Sequence, residues 1–120
     1  MIELIPGLPN HILAMTAHGQ VTGEDYETVL IPAVEARLKQ HEKIRLLYQL
    51  GADFTAFNIE AMWDDAKVGL QHLTAWEKIA VVTDQDWIRA ATKVFGFALP
   101  CPVKVFTNAQ LAEAKIWIQQ

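Results

Sequence analysis

One cysteine, Cys101, stands in the whole chain of 120 residues. No internal disulfide and no cysteine-based metal cluster can therefore form within one chain, and a cytosolic address is expected. Set between Pro100 and Pro102 in an apolar stretch, Cys101 is expected to be a small buried hydrophobe and not a nucleophile. Basic residues are also scarce: ten Lys and Arg face fourteen Asp and Glu, for a net charge of −4. The densest basic stretch, Lys39 to Arg45, is interrupted by Glu42 and reads as a solvated helix end. Nucleic-acid binding draws its affinity from clustered Lys and Arg against phosphates, so it is not expected here. Long apolar runs are missing as well. Leu4 to Gly23 lacks Asp, Glu, Lys and Arg but is broken by Pro6, Gly7, Pro9, Asn10, His11, His18, Gly19 and Gln20, whereas a spanning helix needs about 20 predominantly apolar residues. Met1-Ile2-Glu3 offers no basic region of the kind that opens a signal peptide.

What the chain has in quantity is apolar surface. Hydrophobic residues make up 52% of it, enough for a full core and some spare apolar area, which a dimer interface or a ligand pocket would use. The length fits a single domain, residues 1–120, burying about two thirds of the surface of its unfolded form. No linker, low-complexity segment or charge block divides it.

Periodicity predicts a hairpin followed by a repeated strand, threonine and amphipathic helix. Ile2 to Ile5 and His11 to Gly19 are predicted strands flanking Pro6-Gly7-Leu8-Pro9-Asn10 turn chemistry. Thr22-Gly23-Glu24-Asp25 resembles a capping box, and Tyr26, Val29, Leu30, Ala33, Val34 and Leu38 then lie on one helical face. Pro32 lacks an N–H and clashes with the carbonyl four residues back, so a kink or two helical pieces are predicted near Leu30 and Ile31.

Ile44 to Leu50 is a predicted strand covered on both faces. Gly51 to Phe57 is the least regular stretch, and Asn58 is placed to cap a second helix with the stripe Ile59, Met62, Trp63, Ala66, Leu70 and Leu73. Trp76 to Val82 is the next predicted strand. Thr83-x-x-Asp86 then opens a third helix with Trp87, Ala91, Val94, Phe95 and Ala98 on one side and Ile88, Phe97 and Leu99 near its edges. Val103 to Phe106 is the last predicted strand, and Thr107-x-x-Gln110 starts a final helix through Leu111, Ala114, Ile116, Trp117 and Ile118. The order β-β-α-β-α-β-α-β-α implies an α/β fold with a five-stranded, mostly parallel sheet, an antiparallel N-terminal strand and four sequential β-α units. Right-handed crossovers laid down in one direction put their helices on one side of the sheet, and the other face must be covered by a helix, a partner or a ligand.

This order, with Gly19-x-x-Thr22-x-x-Asp25-Tyr26, the mid-helix Pro32, Ile79-Ala80-Val81-Val82, Asp86-Trp87 and Val103-Lys104-Val105-Phe106 followed by Ala114-x-x-Trp117, resembles the SpoIIAA-like family, small bacterial proteins of the broader STAS type. The resemblance implies a non-enzymatic α/β binding module, related in shape to CRAL-TRIO lipid carriers and often dimeric. In anti-sigma factor antagonists of this type a serine in an Asp-Ser-Ser or Asp-Ser-Thr motif after the third strand is phosphorylated to switch partner binding. The matching stretch here is Leu50 to Phe57, where the serine pair is absent and Thr55 is the only hydroxyl that could take a phosphate. A turn or capping threonine accounts for the same residue.

No catalytic motif or metal-ligand spacing stands out. Adjacent Asp64 and Asp65 diverge by about 100° on a helix and suit a solvated face, while His72 would need ligands from elsewhere. His11, His18 and His41 lack a neighbouring nucleophile. Asp84 and Asp86 suit the positive end of a helix dipole. The aromatics carry more. Phe54, Phe57, Met62, Trp63, Trp87, Phe95 and Phe97 gather in the second and third β-α units, where a groove between helices two and three would take an apolar or lipid-like ligand. Core packing is the competing account, because a pocket needs concavity as well as apolar residues. The expectation is thus a ligand-binding module that is not an enzyme, with no cofactor, in a homodimer. The alternatives are a regulatory protein partner acting through Thr55, and an enzyme whose site assembles only in three dimensions.

Overall fold

A computed structural model of the chain describes residues 1–58, 67 and 74–120. Its sheet has five strands in the order β1-β2-β3-β4-β5: β1 Ile2–Leu4, β2 Ile12–Val21, β3 Ile44–Phe57, β4 Trp76–Val82 and β5 Val103–Phe106. β1 is antiparallel to β2 and every later pair is parallel, as the strand order predicted. The hairpin turn uses Gly7 at φ +95°, a conformation that strains any residue bearing a Cβ.

The first helical segment is built from pieces, as Pro32 predicted. Thr22 caps α1 Gly23–Asp25: its hydroxyl accepts from the Asp25 N–H at 3.2 Å, and the Asp25 carboxylate accepts from the Thr22 N–H at 2.8 Å. A π-helical turn, Tyr26–Leu30, follows, in which the Ile31 N–H reaches back to the Tyr26 carbonyl. α2 Ile31–Leu38 then starts with Pro32 in its first turn, where a missing N–H costs no intrahelical bond. The wide π turn thus lies directly before the proline and joins two α-helical pieces.

The core lies on both faces of the sheet. On one face Leu13, Met15, Ala17, Tyr48, Leu50, Phe54, Trp76 and Ile79 meet Tyr26, Leu30, Ala33 and Val34 from the first helical segment and Ile88 from α3 Asp86–Ala98. On the other, Ile12, Ala14, Leu47, Ala80, Val82 and Phe106 meet Ala114 and Ile118 of α4 Leu111–Gln119, with Ile5 and Leu8 at the margin. The cover demanded by one-directional winding therefore comes from the chain's own last helix. α4 does not connect two of the five strands, so crossover handedness does not constrain its side. Its end is held by two cations: Arg45 donates to the Ile118 carbonyl at 2.8 Å and Lys78 to the Trp117 carbonyl at 2.7 Å, where positive charge meets the negative end of the helix dipole.

Four sequence expectations are corrected. Gly51 to Phe57 is not a loop but the outer part of β3. It pairs with β2 through bulges: β3 advances from Leu50 to Phe54 while β2 advances only from Ala17 to Gly19. Gly19 has φ +57° there, and the irregular spacing hid the strand's period of two. Thr83 does not cap α3. It is fully buried and its hydroxyl accepts from the Gln85 N–H at 3.1 Å, so the helix begins beyond it at Asp86. The buried side of α3 includes Ile88, whereas Trp87 and Val94 are 52% and 70% exposed. On α4, Ile116 faces outward while Ala114 and Ile118 are buried. By contrast, Thr107 and Gln110 do start the final helical segment, forming a capping box over the 3-10 turn Asn108–Gln110 that leads into α4. The second-helix stripe, with Asp64, Asp65 and His72, lies outside the described residues.

Candidate functional site

Three of the seven aromatic and methionine candidates come together. Phe54 is buried; its ring centroid lies 5.0 Å from that of Phe57, which lies 6.4 Å from that of Trp87 in an edge-to-face arrangement. These are favoured aromatic geometries. The bulged pairing makes the series possible: Phe54 and Phe57 are three positions apart, which would place them on opposite faces of a regular strand. Trp87, on the first turn of α3, completes it at the surface, 52% exposed. The rings therefore step from core to solvent across β3 and α3. Met62 and Trp63 lie outside the described residues, as do the side chains of Phe95 and Phe97.

Thr55 stands between the two phenylalanines and is exposed on β3. Cys101 is partly buried, and burial pushes its thiol up, consistent with an inert sulfur. No group of three or more His, Cys, Asp or Glu among the described residues is arranged to hold a metal ion.

A polar contact missed at the sequence level joins three strands. His18 of β2 places Nδ1 2.9 Å from both carboxylate oxygens of Asp53 on β3, and Nε2 3.7 Å from Glu3 on β1. A carboxylate only accepts, so Nδ1 carries the hydrogen of that bond. The His18 hydrogen bond holds the Asp53 carboxyl below the usual range. Gly51 leaves the room for it: a Cβ there would lie 3.1 Å from Asp53 Oδ1. The two ring nitrogens face different carboxylates, so the three groups do not converge on one point. Sequence offered no signal for this contact because 35 residues separate the histidine from the aspartate.

The loops after β4 and β5 lead to helices on opposite faces of the sheet, the place where open α/β sheets form a ligand crevice. Here hydrogen bonds tie the two loops together. The Asp84 carboxylate accepts from the Asn108 backbone at 3.0 Å and from its side-chain amide at 3.2 Å, and Asn108 also reaches the Leu50 carbonyl and the Gln49 amide. Asp84 acts as an internal anion at the start of the last helical segment.

Residues 12–119 match the family model described as SpoIIAA-like. No curated protein matches the chain. Among solved structures, the chain is similar to an uncharacterized protein of the DUF3478 family from Shewanella loihica PV-4 with a SpoIIAA-like fold. The two are 27% identical, with 98% of this chain and 92% of that one covered and a TM-score of 0.79. Fold, matched span and structural likeness agree: this chain belongs to the SpoIIAA-like family.

Proposed function

We propose that the chain is a non-enzymatic STAS-type module that binds a small apolar or lipid-like ligand beside Phe54, Phe57 and Trp87. The observation that carries this reading is the graded exposure of those rings, with Phe54 in the core and Trp87 half in solvent. A side chain of that size, left open at the end of an aromatic series, gains about 25 cal/mol for each Å² of apolar area that a ligand covers. The exposed Val94, two turns further along α3, extends the same apolar surface. The groove expected between the second and third predicted helices, with Phe95, Phe97, Met62 and Trp63, involves side chains outside the described residues. The proposal includes a cytoplasmic homodimer; the exposed Ile116 of α4, on the other face of the sheet, leaves apolar area for a second copy.

Native mass spectrometry of the purified protein, followed by denaturing extraction, tests both parts. One small apolar molecule per chain in a dimer is the expected result. An apo protein that also ignores a panel of fatty acids and phospholipids would remove the ligand proposal.

A second reading, a protein-interaction regulator, draws on the exposure of Thr55 between Phe54 and Phe57. A phosphate there would bring nearly two negative charges onto the strand that also holds Asp53. Partner capture that changes with Thr55→Glu supports that reading, and capture indifferent to the change removes the switch.

A further inference from the structure

We propose that His18 is a pH-controlled clasp, its imidazolium holding both the N-terminal strand and the outer part of β3 to β2. Each ring nitrogen serves a different strand: Nδ1 meets Asp53 on β3 and Nε2 meets Glu3 on β1. Imidazole changes charge between about pH 5 and 8. In the charged form both nitrogens carry hydrogens and both carboxylates are attracted. The neutral form has one hydrogen, which the Asp53 bond claims, and the Nε2 lone pair then faces the Glu3 carboxylate. Losing the proton therefore releases the β1 arm and weakens the β3 arm to a neutral donor.

Both segments depend on such contacts. β1 is three residues long and pairs only with β2. Outer β3 is bulged against β2, with Gly19 paired to Phe54 across the irregularity. The His18 side chain is 35% exposed, so protons reach it directly.

The charged groups around the ring are few among the described residues. β1 supplies Glu3, and just before it the Met1 ammonium donates to the His18 and Gln20 carbonyls and lies 3.3 Å from Asp25 of α1. β3 supplies Asp53, and β2 contains no other charged residue. Outer β3 carries Phe54 and Phe57, so the clasp also governs how firmly these rings are held, whether or not they meet a ligand.

Amide hydrogen exchange on the full chain at about pH 5.5 and about pH 7.5, corrected for intrinsic exchange rates, tests the clasp. Protection of Ile2–Leu4 and of Asp53 to Phe57 is expected to fall by about fivefold or more at the higher pH, while Ile79 to Val82 in the sheet centre stays constant. His18→Gln abolishes the difference in both segments. Glu3→Gln abolishes it in β1 alone and Asp53→Asn in outer β3 alone; these two exposed-site variants decide the matter if His18→Gln does not fold. Equal protection at both pH values in the wild type overturns the clasp. So does a pH response that survives His18→Gln, or one that neither carboxylate variant moves.

Discussion

Single residues in this chain act through backbone geometry and hydrogen bonds as much as through burial. Gly19 adopts φ +57° where the β2–β3 register shifts, and a Cβ in that conformation costs about 1–2 kcal/mol. Gly19→Ala is expected to lower the stability to urea by that amount with an unchanged m-value. Its open surroundings leave conformation, and not collision, as the cause. Asp25 gives a pH prediction. Burial alone would raise its carboxyl, but the hydrogen bonds from Thr22 and the Met1 ammonium outweigh burial and lower it. A lowered folded-state value means that the capping box stabilises fully above the ordinary aspartate range and loses that contribution as pH falls through the lowered value. Denaturant unfolding across pH is expected to show a steeper acid-side decline in the wild type than in Asp25→Asn, and Thr22→Ala to cost about 1 kcal/mol at neutral pH. This cap was legible because threonine, three positions and an acid spell it directly. The same spelling at Thr83 misled, since a hydroxyl and an acid do not specify whether the intervening backbone is helical or, as here, a turn closed by Thr83 onto Gln85.

Elements show where periodicity stops being decisive. The sequence of α3 carries apolar residues on two adjoining stripes, one through Trp87 and Val94 and one through Ile88. Neighbouring helix positions lie about 100° apart, and either stripe could face the sheet until the rest of the core is placed. The structure buries Ile88 at 6% exposure and leaves Val94 at 70%. Val94→Lys is accordingly expected to shift stability by less than about 0.5 kcal/mol, whereas Ile88→Ala costs about 2–5 kcal/mol; comparable losses from both would contradict this orientation. α3 also approaches β5 closely: a Cβ on Gly96 would lie 3.3 Å from the Val103 Cβ. Outer β3 was the least legible element, because Gly51 ends the apolar run, Phe57 breaks the alternation that Asp53 and Thr55 keep, and the bulges shift the pairing. The aromatic series depends on that irregular stretch, so its three-dimensional order could not be read from spacing.

At the scale of the whole molecule, strand order followed from right-handed crossovers and short connections, and so was legible in the alternation of strands and helices. Which element covers the far face was not, because α4 does not connect two strands of the sheet and no crossover rule applies to it. Ala114 and Ile118 against Ile12, Ala14, Leu47, Ala80, Val82 and Phe106 answer that question. They also remove the need for a ligand or partner on that side, and attention falls on the aromatic steps of the first face. The chain contains no serine, and Thr55 replaces the expected serine pair on an exposed strand. The phosphoswitch thus has weaker support than the apolar site.

The most direct measurement is a fluorescence titration of wild-type protein and Trp87→Ala with N-phenyl-1-naphthylamine, a neutral apolar probe. Trp87 is half-exposed, and its replacement is expected to leave stability within about 0.5 kcal/mol of the wild type. The account predicts saturable binding to the wild type and about tenfold weaker binding to the variant, the factor that corresponds to losing roughly 1.4 kcal/mol of aromatic contact. Absence of saturable binding, or equal affinity in the two proteins, would contradict a ligand site on the Phe54, Phe57 and Trp87 steps.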